Sequence, residues 1–592
     1  MKQLMSGNEA IARGAYEAGV CFASAYPGTP STEILENITS YKEIKSEWAP
    51  NEKVAMEAAI GASVMGVRSM ASMKHVGVNV AADPLFTFVY TGVGRGMVLI
   101  SADEPGQHSS QNEQDNRNYA TSAKIPMFEP SNSQECIDML KAAYEVSEKY
   151  DTPVLFRTTT RVNHSKSIVE LEDRVEFAPK AYKKDAAKNV MVPANARQRR
   201  AVLEDRMKSL KEYSEKTPFN FIEKGGRIGV VVSGLTYHFA KEVFGDEATY
   251  LKLGFTNPLP EKLLADFMAQ VDTVYVIEEN DPYLENWIKA CGYSCNGKNV
   301  FPAFGEMTPD VLRRSLKKEE LPVIEYDKKS LVPRPPTLCA GCPHRGLFYE
   351  LGRKKNVAVS GDIGCYTLGF APPYSAMDTC ICMGGAFSVG HGMQQAASLS
   401  GQDIRVVGIM GDSTFFHTGI NSLMEVIYNG SKTICIILDN RITGMTGHQE
   451  NPGTGKRANS ESAVAMDIPS IVRALGMKNV VEINPNNLAE VQEALKNALA
   501  LDEASVIITR WPCVLKKMDA SERAEYGNPF KTQFTVNHDV CINCKACLRC
   551  GCPALSAGQQ KGKPHIDPNQ CVGCGVCAQI CPVHAIGAVK EG

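Results

Sequence analysis

The chain has 592 residues, enough for about three to five domains rather than one core. It is 44% apolar and 22% charged with a net charge of −3, an ordinary globular balance that gives no electrostatic footprint for nucleic acid. No apolar run approaches the roughly 18 residues of a membrane span, and the N-terminus MKQLMSGNEA lacks an apolar secretory segment, so the expectation is a cytoplasmic protein outside the membrane.

Residues 1–190 alternate apolar strand-like runs with helical patterns: VCFASAY, VRSMASM, GMVLISAD and TPVLFRTT. Strand, helix and strand in alternation predict a parallel sheet covered on both faces. The Lys-rich stretch 180–224 reads as a solvated, partly helical linker. GRIGVVVSG and VDTVYVIEEN are the buried strands of a second α/β unit, 225–325, and the proline-rich LVPRPPT marks its end. A third α/β unit, 337–515, carries NVAVSGD, IRVVGIMGD, TICIILDN and ASVIITR. The polar connector LKKMDASERAEYGNPF then leads into a small α+β tail, 530–592.

Nine of the 20 cysteines fall in the last 52 residues, in CxxC spacings that mean metal rather than disulfides in a reducing compartment. Cys571-x2-Cys574-x2-Cys577-x3-Cys581-Pro582 is the bacterial ferredoxin run, whose fourth cysteine ligates the other cluster of a pair. The preceding run, Cys541-x2-Cys544-x2-Cys547-x4-Cys552-Pro553, has one extra residue. Crossed ligation gives Cys541, Cys544, Cys547 and Cys581 to one [4Fe–4S] cluster, and Cys552, Cys571, Cys574 and Cys577 to the other. Cys550 is the alternative to Cys552; the shared Cys-Pro ending favours Cys552 and leaves Cys550 spare. Paired structural zinc sites would have no use for those endings.

In IRVVGIM-Gly411-Asp412-Ser413 and TICIIL-Asp439-Asn440-Arg441-Ile442, Asp412 and Asn440 stand just after two predicted strands. Both can then face the crevice at the carboxyl ends of a parallel sheet. A carboxylate, an amide and a free backbone carbonyl are hard oxygen ligands, suited to Mg²⁺ shared with a diphosphate. Gly411 lets the backbone approach that diphosphate closely. Ser422-x-x-Glu425 reads as the capping box of the intervening helix, with Gly430 as its C-cap.

These residues resemble the thiamine-diphosphate motif that begins GDG and ends in Asn, with Ser413 in place of the third residue. With LCAGCPHRG and GDIGCYTLG upstream and ITGMTGHQ downstream, they resemble the diphosphate-binding half of the 2-oxoacid:ferredoxin oxidoreductases. The resemblance implies thiamine diphosphate and Mg²⁺, with Asp412, Asn440 and the Ile442 carbonyl as metal ligands and Gly444, Thr446, Gly447 and Gln449 in the matching loop. Tyr26-Pro27-Gly28-Thr29-Pro30-Ser31 resembles the family's YPITPSS loop and puts Thr29 against the substrate. APNEKVAMEAAIGAS resembles the segment whose glutamate pairs with the pyrimidine ring; the best register gives Glu52, the other Glu57. Arg117 lies where the family supplies an arginine for the substrate carboxylate, a surface-loop arginine being the alternative. Lys74 and His75, in SMKHVGVNVAADPL, are further candidates. Cys339, Cys342, Cys365 and Cys513 match positions that hold a third cluster close to thiamine; otherwise Cys365 and Cys513 are small core residues.

The resemblance covers the whole chain and implies three parallel-sheet α/β domains, two of thiamine-diphosphate-binding type, followed by a two-[4Fe–4S] ferredoxin-like domain. The order is similar to that of large subunits acting on arylpyruvates such as indolepyruvate and phenylpyruvate. It implies oxidative decarboxylation to an aryl-acetyl-CoA, with coenzyme A as co-substrate and ferredoxin as acceptor. The family's γ-type unit is missing, so a small β subunit should supply it, in an α2β2 heterotetramer. Gly28 and Met445 replace an Ile and an Asn of the pyruvate enzymes and are expected to leave apolar room. The alternatives are the same chemistry on another 2-oxo acid, or a non-catalytic iron–sulfur electron-transfer subunit that binds no thiamine.

Overall fold

The apolar runs of the first α/β region form the strands Phe22–Ala25, Ser69–Lys74, Met97–Asp103 and Val154–Thr159, in a computed structural model that describes residues 1–317, 324–332, 334–527, 532–558 and 562–589. The chain divides into two compact units, Met1–Tyr326 and Asp327–Gly592. The start of the expected tail, at 530, lies outside the described residues.

In the first unit, Lys45–Trp48 and Met127–Phe128 join those four strands; the first, KSEW, is largely polar and the second has only two residues, so neither stands out by pattern. Numbered along the chain, the six pair in the order 2-1-3-4-6-5, all parallel. A seventh strand, Phe255–Asn257, pairs antiparallel with Met127–Phe128 at the edge. The region expected as a separate α/β unit, 225–325, therefore lends a strand to the first sheet. It keeps its own sheet of Ile228–Ser233, Ala248–Leu253 and Thr273–Ile277, with Asn220–Glu223 added antiparallel. The stretch 180–224 is more than a solvated linker. Its helix Pro193–Ser214 buries Leu203 and Leu210 completely, two apolar positions that its many charges hide from a sequence pattern.

In the second unit, Val357–Gly361, Thr379–Cys380, Arg405–Gly411, Ile434–Asp439, Val480–Ile483 and Ser505–Arg510 pair in parallel, and their order is again 2-1-3-4-6-5. Ile434–Asp439 is buried along its whole length, which is why the run shows no polar alternation. In each sheet the order reverses between the first and third strands. The crevice at their carboxyl ends is the topological switch point, the usual ligand position of an open α/β sheet.

Helical backbone runs without a break from Asp412 to Tyr428, through a π-helical turn at Phe415–Gly419. Ser422 is therefore inside the helix and not at its cap, a correction to the expected capping box; its hydroxyl donates to the Gly384 carbonyl at 2.5 Å. Gly430 does follow the helix end, with φ +59°. In the tail, Phe534–Val536 pairs with Ile586–Ala588 and Leu555–Ala557 with Pro564–Ile566, and each cysteine run carries one short helical turn. Among the described residues, no helix is long and apolar enough to cross a membrane.

Candidate active site

Helix Glu52–Val64 starts on an Asn51 cap, whose side chain accepts from the Val54 amide at 2.9 Å. Glu52 is its first residue and only 7% exposed. Its carboxylate presses on Gly77 in the helix His75–Val80: a Cβ there would lie 2.6 Å from Glu52 Cγ and 2.8 Å from Oε1. Glu57 faces outward, with its side chain 46% exposed and paired with Lys53. Of the two registers, Glu52 is the buried residue and Glu57 the half-exposed one.

Gly28 and Thr29 follow the first strand, and Lys74 ends the third, so all three stand at the switch point. A Cβ on Gly28 would lie 2.9 Å from Lys74 Cβ. The lysine stem already fills the apolar room expected beside Gly28, which corrects that expectation. Gly28→Ile should overpack this contact and cost on the order of 1–3 kcal/mol, read as a lower melting temperature. Lys74 itself pairs with Glu104 at 3.0 Å and donates to the Ser109 carbonyl at 2.9 Å; burial lowers its pKa. His75 is fully buried with Nε2 3.2 Å from Asn112 Oδ1, and burial lowers its pKa too. Both are tied into the fold.

Arg117 is 1% exposed at the start of helix Arg117–Ala123. Its Nε donates to Asp115 Oδ1 at 2.9 Å, Nη1 to Glu278 Oε2 at 2.8 Å, and Nη2 to Asp115 Oδ2 at 2.6 Å and the Glu279 carbonyl at 2.8 Å. Although burial opposes it, the Arg117 charge, with Arg157, holds the Asp115 carboxyl down at about 2. With its fork engaged by carboxylates and carbonyls of its own unit, Arg117 is a structural cation, and the substrate role expected of it does not fit.

In the second unit, Asp412 and Asn440 follow the adjacent strands Arg405–Gly411 and Ile434–Asp439. Asp412 is buried; Oδ1 accepts from the Ser413 amide at 2.8 Å and Oδ2 from Asn451 Nδ2 at 3.1 Å. Burial, and then the like charge of Asp439, push the Asp412 carboxyl up to about 7. A divalent cation would relieve both penalties, so this donor set fits Mg²⁺. Asn440 Oδ1 accepts from the Ile442 amide at 3.2 Å. At Gly411 the backbone lies close to Tyr366, a Cβ there falling 2.9 Å from its ring. Gly444 lies beside both Asn440 and Cys365: its Cβ would be 3.7 Å from Asn440 Nδ2 and 3.8 Å from Cys365 Sγ. The Thr446 hydroxyl donates to Gln449 Oε1, whose amide returns a bond to the Thr446 carbonyl at 3.0 Å. Asn451, in HQENPG, belongs to no motif or period, and only the fold brings it to Asp412.

The four cysteines expected around a third cluster share one neighbourhood. Burial lifts the Cys365 thiol to about 11, with Cys513 and Cys339 adding to the shift. Cys342 is lifted to about 12 by burial, Arg345 opposing and Cys513 and Cys339 adding. The Cys513 amide donates to the Asn440 carbonyl at 3.0 Å, and its Sγ lies 3.8 Å from His448 Nε2.

In the tail, Cys541, Cys544, Cys547 and Cys581 line one small cavity, the set that crossed ligation requires. Burial raises the Cys577 thiol, and its neighbouring thiols are Cys550, Cys574, Cys552 and Cys571. Cys550 and Cys552 thus both adjoin the second set. Cys550 is fully buried with Leu488 and Val576, and Cys552 packs, partly buried, against the same cluster.

Residues 13–218 match the family described as pyruvate flavodoxin/ferredoxin oxidoreductase, thiamine diP-bdg. Residues 362–509 match the thiamine pyrophosphate enzyme C-terminal TPP binding domain, and 564–587 a 4Fe-4S binding domain. The chain is 39% identical to the indolepyruvate oxidoreductase subunit IorA of Archaeoglobus fulgidus, over 100% of this chain and 98% of that one. It is 40% identical to the same subunit of Methanothermobacter thermautotrophicus, with coverage of 100% and 98%. Against that of Pyrococcus horikoshii the identity is 38%, with coverage of 100% and 97%.

Proposed function

Because the chain belongs to the indolepyruvate oxidoreductase subunit IorA family, we propose that it is the catalytic subunit of an enzyme that oxidatively decarboxylates arylpyruvates, indolepyruvate and phenylpyruvate, to aryl-acetyl-CoA with ferredoxin as acceptor. The observation that carries the reading lies within the second unit: Cys365 and Asn440 flank Gly444, so cluster-type thiols adjoin the diphosphate motif. That adjacency supports a redox site rather than a simple decarboxylase.

Bound thiamine diphosphate would supply the nucleophilic carbon that adds to a 2-oxo group. Asp412, Asn440 and the Ile442 carbonyl would hold Mg²⁺ on its diphosphate, with Gly411, Ser413, Gly444 and Thr446 lining that end. Glu52, kept from water against Gly77, would hold the proton at the pyrimidine ring nitrogen. Thr29, at the switch point, would meet the substrate. Cys541, Cys544, Cys547 and Cys581 would hold one [4Fe–4S] cluster, Cys552, Cys571, Cys574 and Cys577 a second, and Cys339, Cys342, Cys365 and Cys513 a third. A small β subunit bearing the γ-type domain would complete a cytoplasmic α2β2 assembly.

Iron and thiamine analysis of the purified chain tests this reading. About 12 irons per chain are expected with all three cysteine sets loaded, against about 8 for the tail alone. Cys550→Ser should leave the iron content unchanged, whereas Cys552→Ser should lose about four irons. Thiamine absent from an iron-loaded chain would instead mark an electron-transfer subunit.

A further inference from the structure

Arg345, in helix His344–Leu351, is accounted for by neither the diphosphate site nor the cysteine sets themselves. Its side chain is 0% exposed, which makes it, with Arg117, among the largest fully buried groups of the chain. Arg117 is matched by carboxylates, but among the described residues no carboxylate pairs with Arg345. Instead, Nη2 donates to the carbonyls of Leu338 at 2.8 Å and Cys339 at 2.7 Å. Nη1 donates to the Cys550 carbonyl at 2.7 Å and to the Tyr374 hydroxyl, which itself donates to the Cys550 carbonyl at 2.7 Å. The Nε of Arg345 is buried without a partner.

One guanidinium therefore joins the Cys339–Cys342 turn to the end of the first cysteine run of the tail. The two cysteine regions also touch directly. Gly341, with φ +71°, sits so close to Val572 that a Cβ would fall 2.0 Å from its Cγ2, and Val572 lies between Cys571 and Cys574. A buried cation persists only where negative charge faces it. The Arg345 charge is fully buried, and the groups its fork meets, three backbone carbonyls and the Tyr374 hydroxyl, are all neutral. Thiolate-held iron–sulfur clusters are net anions, so a cluster on each side would supply the counter-charge the protein itself lacks.

We propose that Arg345 is a positioning residue and shared counter-cation between two iron–sulfur sites, the one on Cys339, Cys342, Cys365 and Cys513 and the one on Cys552, Cys571, Cys574 and Cys577. It rests on the reading that both sets carry clusters. Arg345 fixes their spacing through its four carbonyl and hydroxyl contacts and makes both easier to reduce.

The test is a redox titration of the full chain with its small subunit, followed by electron paramagnetic resonance. Iron content comes first: about 12 irons per chain sustain the shared role, and about 8 overturn it while leaving the two-cluster tail intact. Arg345→Gln should then shift two of the three midpoint potentials to more negative values and leave the third, on Cys541, Cys544, Cys547 and Cys581, unchanged. Arg345→Lys and Tyr374→Phe keep the charge, so potentials should stay near the parent's while amides of residues 546–553 exchange deuterium faster. Unchanged potentials in an iron-replete Arg345→Gln, or an equal shift of all three, overturn the proposal. If Arg345→Gln loses iron, Arg345→Lys decides: iron retained supports the charge role, and iron lost overturns it.

Discussion

Glu52→Gln should lower turnover by on the order of 10²–10⁴-fold, the usual loss when a positioned proton-transfer group is removed. The visible absorption of the iron–sulfur groups should not change, because Glu52 is none of the residues that would hold them. Stability should change little, since the exchange preserves volume at a buried position. Gly77→Val provides an independent route to the same result. A side chain at Gly77 cannot fit without displacing the Glu52 carboxylate, from which even a Cβ would be only 2.8 Å. Steady-state assay with absorption spectra checks both variants. Full activity in Glu52→Gln would remove the role from Glu52, and the exposed, Lys53-paired Glu57 is placed poorly to take it up.

Asp412→Ala should abolish Mg²⁺-dependent binding of thiamine diphosphate, measured by calorimetry on the cofactor-free protein. Three features make this position sensitive. Asp412 directly follows a strand at the switch point, it is buried, and the like charge of Asp439 adds to the penalty that a cation would lift. Asn451→Ala is the finer test. Its amide holds Asp412 Oδ2 at 3.1 Å, and losing such an orienting partner costs about 10–100-fold in metal affinity. An Asn451→Ala protein that binds Mg²⁺ and thiamine diphosphate as the parent does would show that the carboxylate is held in place by other contacts.

Much of the fold was legible because a parallel sheet covered on both faces needs continuous apolar strands, and NVAVSGD, IRVVGIMGD and TICIILDN show them plainly. Asp412 and Asn440 were legible for the same reason: the end of a predicted strand fixes where the next residue points. Pattern fails where packing is long-range. The many charges of Pro193–Ser214 obscure the Leu203, Met207, Leu210 spacing whose leucines are buried, and Phe255–Asn257 gives no sign that its partner lies in the first sheet. Gly28 shows the opposite error. The glycine implies apolar space in the sequence, but the Lys74 stem occupies that space. The place of Arg117 in the chain suggests either a substrate ligand or a surface-loop residue, whereas its three-dimensional neighbours, above all Glu278 from far along the sequence, make it a buried structural cation.

We propose that one chain combines a thiamine-dependent 2-oxo acid site with the cysteine sets that carry electrons away from it. The most direct measurement is the anaerobic reduction of a viologen dye or ferredoxin by the chain together with its small subunit, with thiamine diphosphate, Mg²⁺ and coenzyme A present. Indolepyruvate and phenylpyruvate should reduce the acceptor rapidly, and the reaction should require coenzyme A and stop without thiamine diphosphate. Acceptor reduction that survives removal of thiamine diphosphate, or an iron-replete assembly that fails with every 2-oxo acid supplied, would contradict it.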